Sequence, residues 1–163
     1  MQRTKWRAAN QVAGILISKI EPLVTRVMVA GSVRRLRPTV GDLDIVIART
    51  EFQNILLNQW FMDNFGIQTS NRTKGKRTGK FMGIEVQFID VLPEQWGSAL
   101  LMATGSGDHN VIMRGRAKKL GLKLNQYGLF RDNEPIVVAD REDVIFAALN
   151  MVPLLPYLRE VKI

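Results

Sequence analysis

The sequence contains no cysteine and a single histidine, His109. Without thiols there is no disulfide framework, and one imidazole cannot build the clusters of His and Cys that hold zinc. Any metal must be held by oxygen, which points to magnesium or a similar hard ion. Long hydrophobic runs are missing too: apolar stretches end after a handful of residues, far short of the roughly 20 that cross a bilayer. Met1 to Arg7 lead into Ala-Ala-Asn-Gln instead of an apolar segment, so neither a membrane span nor a secretory signal is expected, and the chain is assigned to the cytoplasm. Acids are scarce. Fifteen Asp and Glu face 23 Lys and Arg, and the net charge of +8 favours a polyanionic partner, nucleic acid foremost. Repeats and low-complexity tracts are absent, and 46% apolar with 23% charged residues is a globular composition. A length of 163 residues suits one domain or two small ones.

Trp6, Val12, Ile15, Leu16 and Ile20 recur at near-helical spacing and predict a first amphipathic helix over 5–20. Thr25 to Ala30 is rich in strand formers and stops at Gly31-Ser32. A basic segment, Arg34 to Arg37, and Pro38 precede a second apolar run from Val40 to Ile47. A helix is predicted between Thr50 and Phe65, ended by Gly66. Arg72 to Lys80 forms a basic, glycine-bearing loop or hairpin arm, and Ile84 to Leu92 a strand stopped by Pro93. Helices are expected at 96–103, at 110–120 and, as a capped helix with Asp143 near its amino terminus, at 140–151; short strands at 125–130 and 136–138. The texture changes after Pro93, which divides the chain into units 1–94 and 95–163.

Gly41-Asp42-Leu43-Asp44 is the most informative stretch. Side chains two apart on a strand share a face about 7 Å apart, so Asp42 and Asp44 point together while Leu43, Ile45 and Ile47 enter a core. Two carboxylates on an apolar strand are costly unless neutralised, and divalent cations about 4 Å apart neutralise them and clamp the oxygens of phosphoryl transfer. A strand end capped at the surface by two acids is the plainer alternative. Upstream, the strand runs into Gly31-Ser32-Val33-Arg34-Arg35, where backbone N–H groups and a hydroxyl can hold phosphate oxygens and Arg35 can add a charge-assisted contact.

Strand, Gly-Ser-x-Arg-Arg, loop and Gly-Asp-x-Asp together resemble the palm of nucleotidyltransferases. Thr104-Gly105-Ser106, Asn110, Arg114 and the segment Gly121 to Phe130 resemble the carboxy-terminal part of the family X, or polymerase beta-like, DNA polymerases, in the same order and spacing. The resemblance covers roughly Thr25 to Phe130. It implies an α+β fold: a nucleotidyltransferase palm, with a mixed sheet flanked by helices, followed by a small α+β carboxy-terminal domain. It further implies a minimal member like the small viral and phage ones, since 163 residues leave no room for an amino-terminal lyase domain. By resemblance Gly31, Ser32, Arg35 and Gly41 hold the triphosphate, and Asp42 and Asp44 hold two magnesium ions, for which manganese can substitute. Thr104 and Gly105 pass the sugar, Asn110 meets the base, and Arg114 meets the template. Lys118, with Lys74, Lys76 and Arg77, would meet DNA phosphates. The implied partners are dNTP and gapped or primer-template DNA, with the chain a monomer.

The family places a third Asp on a neighbouring strand, where this sequence has Gln87. Glu85 is on the same face, and Asp90 reaches it if a bulge shifts the register; Asp90 is therefore carried as the third catalytic acid. Met102-Ala103 replaces an aromatic pair that crowds the sugar 2′ position in relatives. The expected activity is templated filling of short gaps by transfer of a nucleotide from dNTP to a primer 3′-hydroxyl. Two alternatives stand beside it: a catalytically weakened DNA-end binder, and a nucleotidyltransferase that modifies a protein or small molecule.

Overall fold

A computed structural model describes residues 3–65 and 76–161. Chain order explains much of the architecture. A short strand β1 (Thr4–Lys5) leads into helix α1 (Trp6–Ile20), whose buried face is Ala9, Ala13, Leu16 and Ile20. The strand β2 (Arg26–Val29) follows, then a single helical turn α2 (Gly31–Arg34) where the sequence suggested only a turn. Next come β3 (Thr39–Val40), β4 (Asp42–Ala48) and helix α3 (Gln53–Phe65). The basic segment enters β5 (Lys76–Phe81), which pairs with β6 (Ile84–Val91). Helices α4 (Trp96–Thr104) and α5 (Gly107–Lys119) open the second half. The predicted strand at 125–130 is a hairpin instead. Its strands β7 (Lys123–Asn125) and β8 (Gly128–Arg131) turn at Gln126-Tyr127, and β9 (Glu134–Pro135) pairs next to β8. Residues 136–138 are not a strand, and α6 (Glu142–Ala148) closes the element list. The result is α+β, as expected.

The main sheet has the order β2-β4-β6-β5, antiparallel except for the parallel β4–β6 pair. Its register sets Asp42 beside Glu85, Asp44 beside Gln87 and Ile47 beside Asp90. Alternation then decides which side each residue serves. Leu43, Ile45, Ile47, Val86 and Phe88 face one core, closed by α1 and by Leu57 and Phe61 of α3. Phe61 and Phe65 pack edge-on against Phe88 at 4.7 and 5.2 Å between ring centres, an arrangement that adds to simple area burial. On the opposite side, Val46, Ala48, Ile89 and Val91 pack with Ala30 and with Trp96, Ala99 and Leu100 of α4. A third cluster, from Leu101 through Leu149, gathers α5, β7, β8 and α6.

α4 comes close to the segment before α6 because residue 97 is glycine. Its N–H donates to the Ala139 carbonyl at 2.7 Å, and a Cβ there would lie 2.2 Å from the Arg141 backbone. The contact ties the segment before α6 to the helix that covers the main sheet. Among the described residues, no helix is long and apolar enough to cross a membrane.

Candidate active site

β4 enters the sheet with its two acids on the side covered further along by α4. Asp42 and Asp44 are half-buried at the open end, while Val46 and Ala48 are sealed beneath α4. The shared face expected from alternation is present, and Leu43, Ile45 and Ile47 enter the opposite core. Asp44 lies directly on the turn that follows β2. Its backbone carbonyl accepts the Ala30 N–H at 2.7 Å, and a Cβ on Gly31 would fall 2.0 Å from Asp44 Oδ2. Gly31 also has φ +54°, so two requirements make that position glycine. The Gly-Ser turn and the Asp-x-Asp strand, separate in sequence, thus form one surface. Ser32 is half-buried on it, as is Gly41 at the mouth of β4.

Gln87 occupies the third place. Its Nε2 donates to Asp42 Oδ2 at 2.9 Å, across the register that sets it beside Asp44. Asp90 does not reach this face. The β4–β6 register runs without a bulge, so Asp90, three residues on, points to the other side of the sheet. There it is 5% exposed and paired with Arg77 at 2.9 Å and Arg49 at 3.7 Å. The assignment of Asp90 as a catalytic acid is therefore corrected. Arg77 is corrected with it: at 2% exposure it cannot meet DNA phosphates. It donates to Asn58 at 2.7 Å, and its guanidinium carbon lies 4.4 Å from the centre of the Phe61 ring. Lys74 is outside the described residues, and Lys76 is the first residue of β5, opposite Ile89.

Arg34 and Arg35 carry the turn to the second half. Arg34 donates to Thr104 Oγ1 at 2.7 Å and grips both carboxylate oxygens of Glu142, at 2.9 and 2.7 Å. Arg159 adds a contact to the same carboxylate at 2.7 Å. Burial alone would raise the Glu142 pKa, but hydrogen bonds from Arg34 and Arg159 outweigh it and hold the carboxyl below its ordinary range. Arg35 donates from Nη1 to the Thr104 carbonyl and from Nε to Glu160. A Cβ on Gly105 would lie 3.1 Å from Arg35 Nη1, so Thr104-Gly105 rests against the arginine. The structure brings together Gly31 to Arg35, Asp42, Asp44, Thr104 and Gly105.

Asn110 is one turn into α5. Its Nδ2 donates to the Met102 carbonyl at 2.8 Å, while Oδ1 is buried with no partner among the described residues. Arg114 and Lys118 are exposed on the same helix, with Arg114 Nε donating to the Asn110 carbonyl at 3.2 Å. Sequence reasoning missed Glu142, Arg159 and Glu160. Glu142 sits in the first turn of α6, where an acid reads as a helix-dipole partner; its distant arginines leave no local signal.

The carboxylates of Asp42 and Asp44 are oxygen donors of the kind a hard divalent ion takes, whereas Gln87 turns its amide nitrogen toward Asp42. Among the described residues, no group of three or more His, Cys, Asp or Glu stands together to hold a metal.

The family described as DNA polymerase beta thumb matches residues 99–160. The DNA polymerase/3′-5′ exonuclease PolX of Bacillus subtilis (strain 168) is 36% identical over 102 residues, 61% of this chain and 18% of that protein. The chain thus spans about a fifth of the length of this curated relative. Two crystal structures of Leishmania infantum polymerase beta share the fold. The ternary P/T complex aligns with a TM-score of 0.78 at 20% identity, over 98% of this chain and 77% of that one. The ternary gap complex aligns with 0.78 at 19% identity, over 98% and 71%.

Proposed function

We propose that this chain belongs to the family X DNA polymerases, a reading supported by its match to the polymerase beta thumb model and its identity with PolX, and that it is a template-directed DNA polymerase that fills short gaps. The observation that carries this reading is the meeting of three separate segments, Gly31 to Arg35, Asp42 to Asp44 and Thr104-Gly105. In the proposed reaction the primer 3′-oxygen attacks the α-phosphorus of a dNTP. A new P–O bond forms, the bond to the β-phosphate bridge breaks, and pyrophosphate leaves. Ser32 and Arg35 hold the outer phosphates, Asn110 meets the base, and Arg114 and Lys118 meet DNA phosphates, with Lys74 and Lys76 as further contacts. Units 1–94 and 95–163 would act as palm and nucleotide-template domain of a monomer.

Asp42 and Asp44 are the residues that would hold magnesium, or manganese in its place, in the family's two-ion arrangement. When bound, such ions neutralise the triphosphate and steady the attacking and leaving oxygens. Gln87 brings neither charge nor a proton acceptor, so the proton of the primer hydroxyl is left to solvent or to Glu85, exposed on the same face. That substitution favours slow synthesis and supports a second reading, a DNA-end binder with weakened chemistry.

Primer extension across a one-nucleotide gap, with magnesium and then manganese, separates the readings. Templated extension abolished by Asp44→Ala supports the polymerase. Tight DNA binding without extension under either ion supports the binder, and nucleotide transfer to a protein or small molecule supports neither.

A further inference from the structure

The carboxy-terminal segment does more than cover the thumb core. Arg159 is 2% exposed and fastened on three sides. Its Nε donates to the Leu154 carbonyl at 2.9 Å and its Nη1 to Glu142 at 2.7 Å, while its own carbonyl accepts from Ser106 Oγ at 2.7 Å. The next residue, Glu160, is therefore presented from a fixed backbone. Its carboxylate accepts from Arg35 Nε at 2.5 Å and lies 3.5 Å from Arg37 Nη1. Anchoring distinguishes this pair from a loose surface ion pair, where side-chain entropy cancels most of the gain.

We propose that Glu160 is a positioning residue for triphosphate recognition: with the Thr104 carbonyl it fixes the guanidinium of Arg35, leaving Nη2 to take a phosphate. Two of the five N–H donors of Arg35 are spent on Glu160 and Thr104, and Nη2 makes no hydrogen bond among the described residues. The inference rests on the polymerase reading of the cleft. Glu160 could instead compete with the phosphate for Arg35, but the charge balance favours positioning. Within the arginine network itself, Arg34, Arg35, Arg37 and Arg159 outnumber Glu142 and Glu160 by two charges, and the remaining acids of the surface, Asp42 and Asp44, are those assigned to a divalent ion. A prefixed arginine also spares the rotamer entropy that a free one loses on binding.

Calorimetric binding of dNTP, dNDP and dNMP to the full chain with magnesium tests the assignment. Glu160→Ala should weaken dNTP binding about tenfold, the loss of one charge-assisted contact, and leave dNMP within about twofold. Glu160→Gln, whose amide oxygen still accepts from Nε, should restore most of that affinity. Glu160→Asp, which keeps the charge but withdraws it, should reproduce the selective loss and serves if the alanine variant fails to fold. Tighter dNTP binding in the Ala and Gln variants would establish competition and overturn the proposal. Equal losses for dNTP and dNMP, or none, would overturn it as well. If the unaltered chain binds no nucleoside triphosphate, the polymerase reading falls and takes this one with it; unchanged variants of a binding-competent chain sink Glu160 alone.

Discussion

On the proposed polymerase reading, replacing Gln87 by aspartate should raise the rate of gap filling and make stability depend on a divalent ion. The side chain stands beside Asp44 in the parallel register and donates to Asp42 Oδ2 at 2.9 Å. Gln87→Asp removes that charge-assisted hydrogen bond and adds a third carboxylate to two half-buried ones. The lost bond costs about 2 kcal/mol, which in a chain of this size lowers Tm by roughly 4–8 °C without metal. Magnesium should return most of the loss, because three acids around one ion are no longer mutually repelling. Single-turnover extension of a one-nucleotide gap should quicken by about 100-fold or more, the usual magnitude for one electrostatic group at a reacting centre. Scanning calorimetry with magnesium or EDTA, run beside the kinetics, checks both halves. A variant no faster than the parent, with a Tm indifferent to metal, would refute the placement of Gln87. Glu85→Gln is the control: Glu85 is exposed on the same face, and if its loss abolishes extension, it had been the third acid all along.

Four further outcomes are expected. Glu142→Ala leaves Arg34 and Arg159 without their shared carboxylate and should cost about 3 kcal/mol in urea unfolding; a loss under about 1 kcal/mol would show the network to be ornamental. His109, 1% exposed, has its pKa lowered to about 4 by burial and then by Arg159. The unfolded chain therefore binds the extra proton first, and stability falls as pH drops from about 6.5 towards 4, by on the order of 3 kcal/mol; denaturation of His109→Phe should lack that slope. Lys118→Ala should reduce the salt dependence of gapped-DNA binding by about one unit of slope, whereas Arg77→Ala should lower stability and leave the slope alone. Met102 packs into the thumb core and Ala103 is small, so discrimination against ribonucleotides should be weak; single-turnover kinetics showing a deoxy preference above about a thousandfold would contradict this.

Much of the palm was legible because its strands obey a two-residue period. Alternation along Leu43 to Ile47 and Ile84 to Phe88 separated the core side from the cleft side, and the structure keeps that division. The same parity argues against Asp90, an odd number of residues from Gln87; a missing charge at Gln87 had made a nearby acid attractive. Arg77 was misplaced for a complementary reason. It sits in a run of cations that reads as solvated, and its burial depends on β5 pairing antiparallel to β6 under α3. The two errors are the two halves of one ion pair, 2.9 Å apart. Neither partner betrays the other in sequence, because a buried charge is recognised by what compensates it, and here that lies across a strand pairing. The hairpin at β7–β8 was read as one strand because Gln126-Tyr127 is not a typical turn pair. Arg34, Glu142 and Arg159, separated by 108 and 17 positions, were beyond any local pattern.

The span of that last trio bears on how the protein is born. Arg34 emerges from the ribosome early, yet its counter-ion follows 108 positions later and the arginine that shares it later still. A nascent chain holding the whole palm sheet would carry an uncompensated cationic turn beside Asp44. On the proposed reading of the site, competence to grip a nucleotide should therefore appear late in synthesis and abruptly, when residues 142 to 160 dock, instead of growing with each strand added.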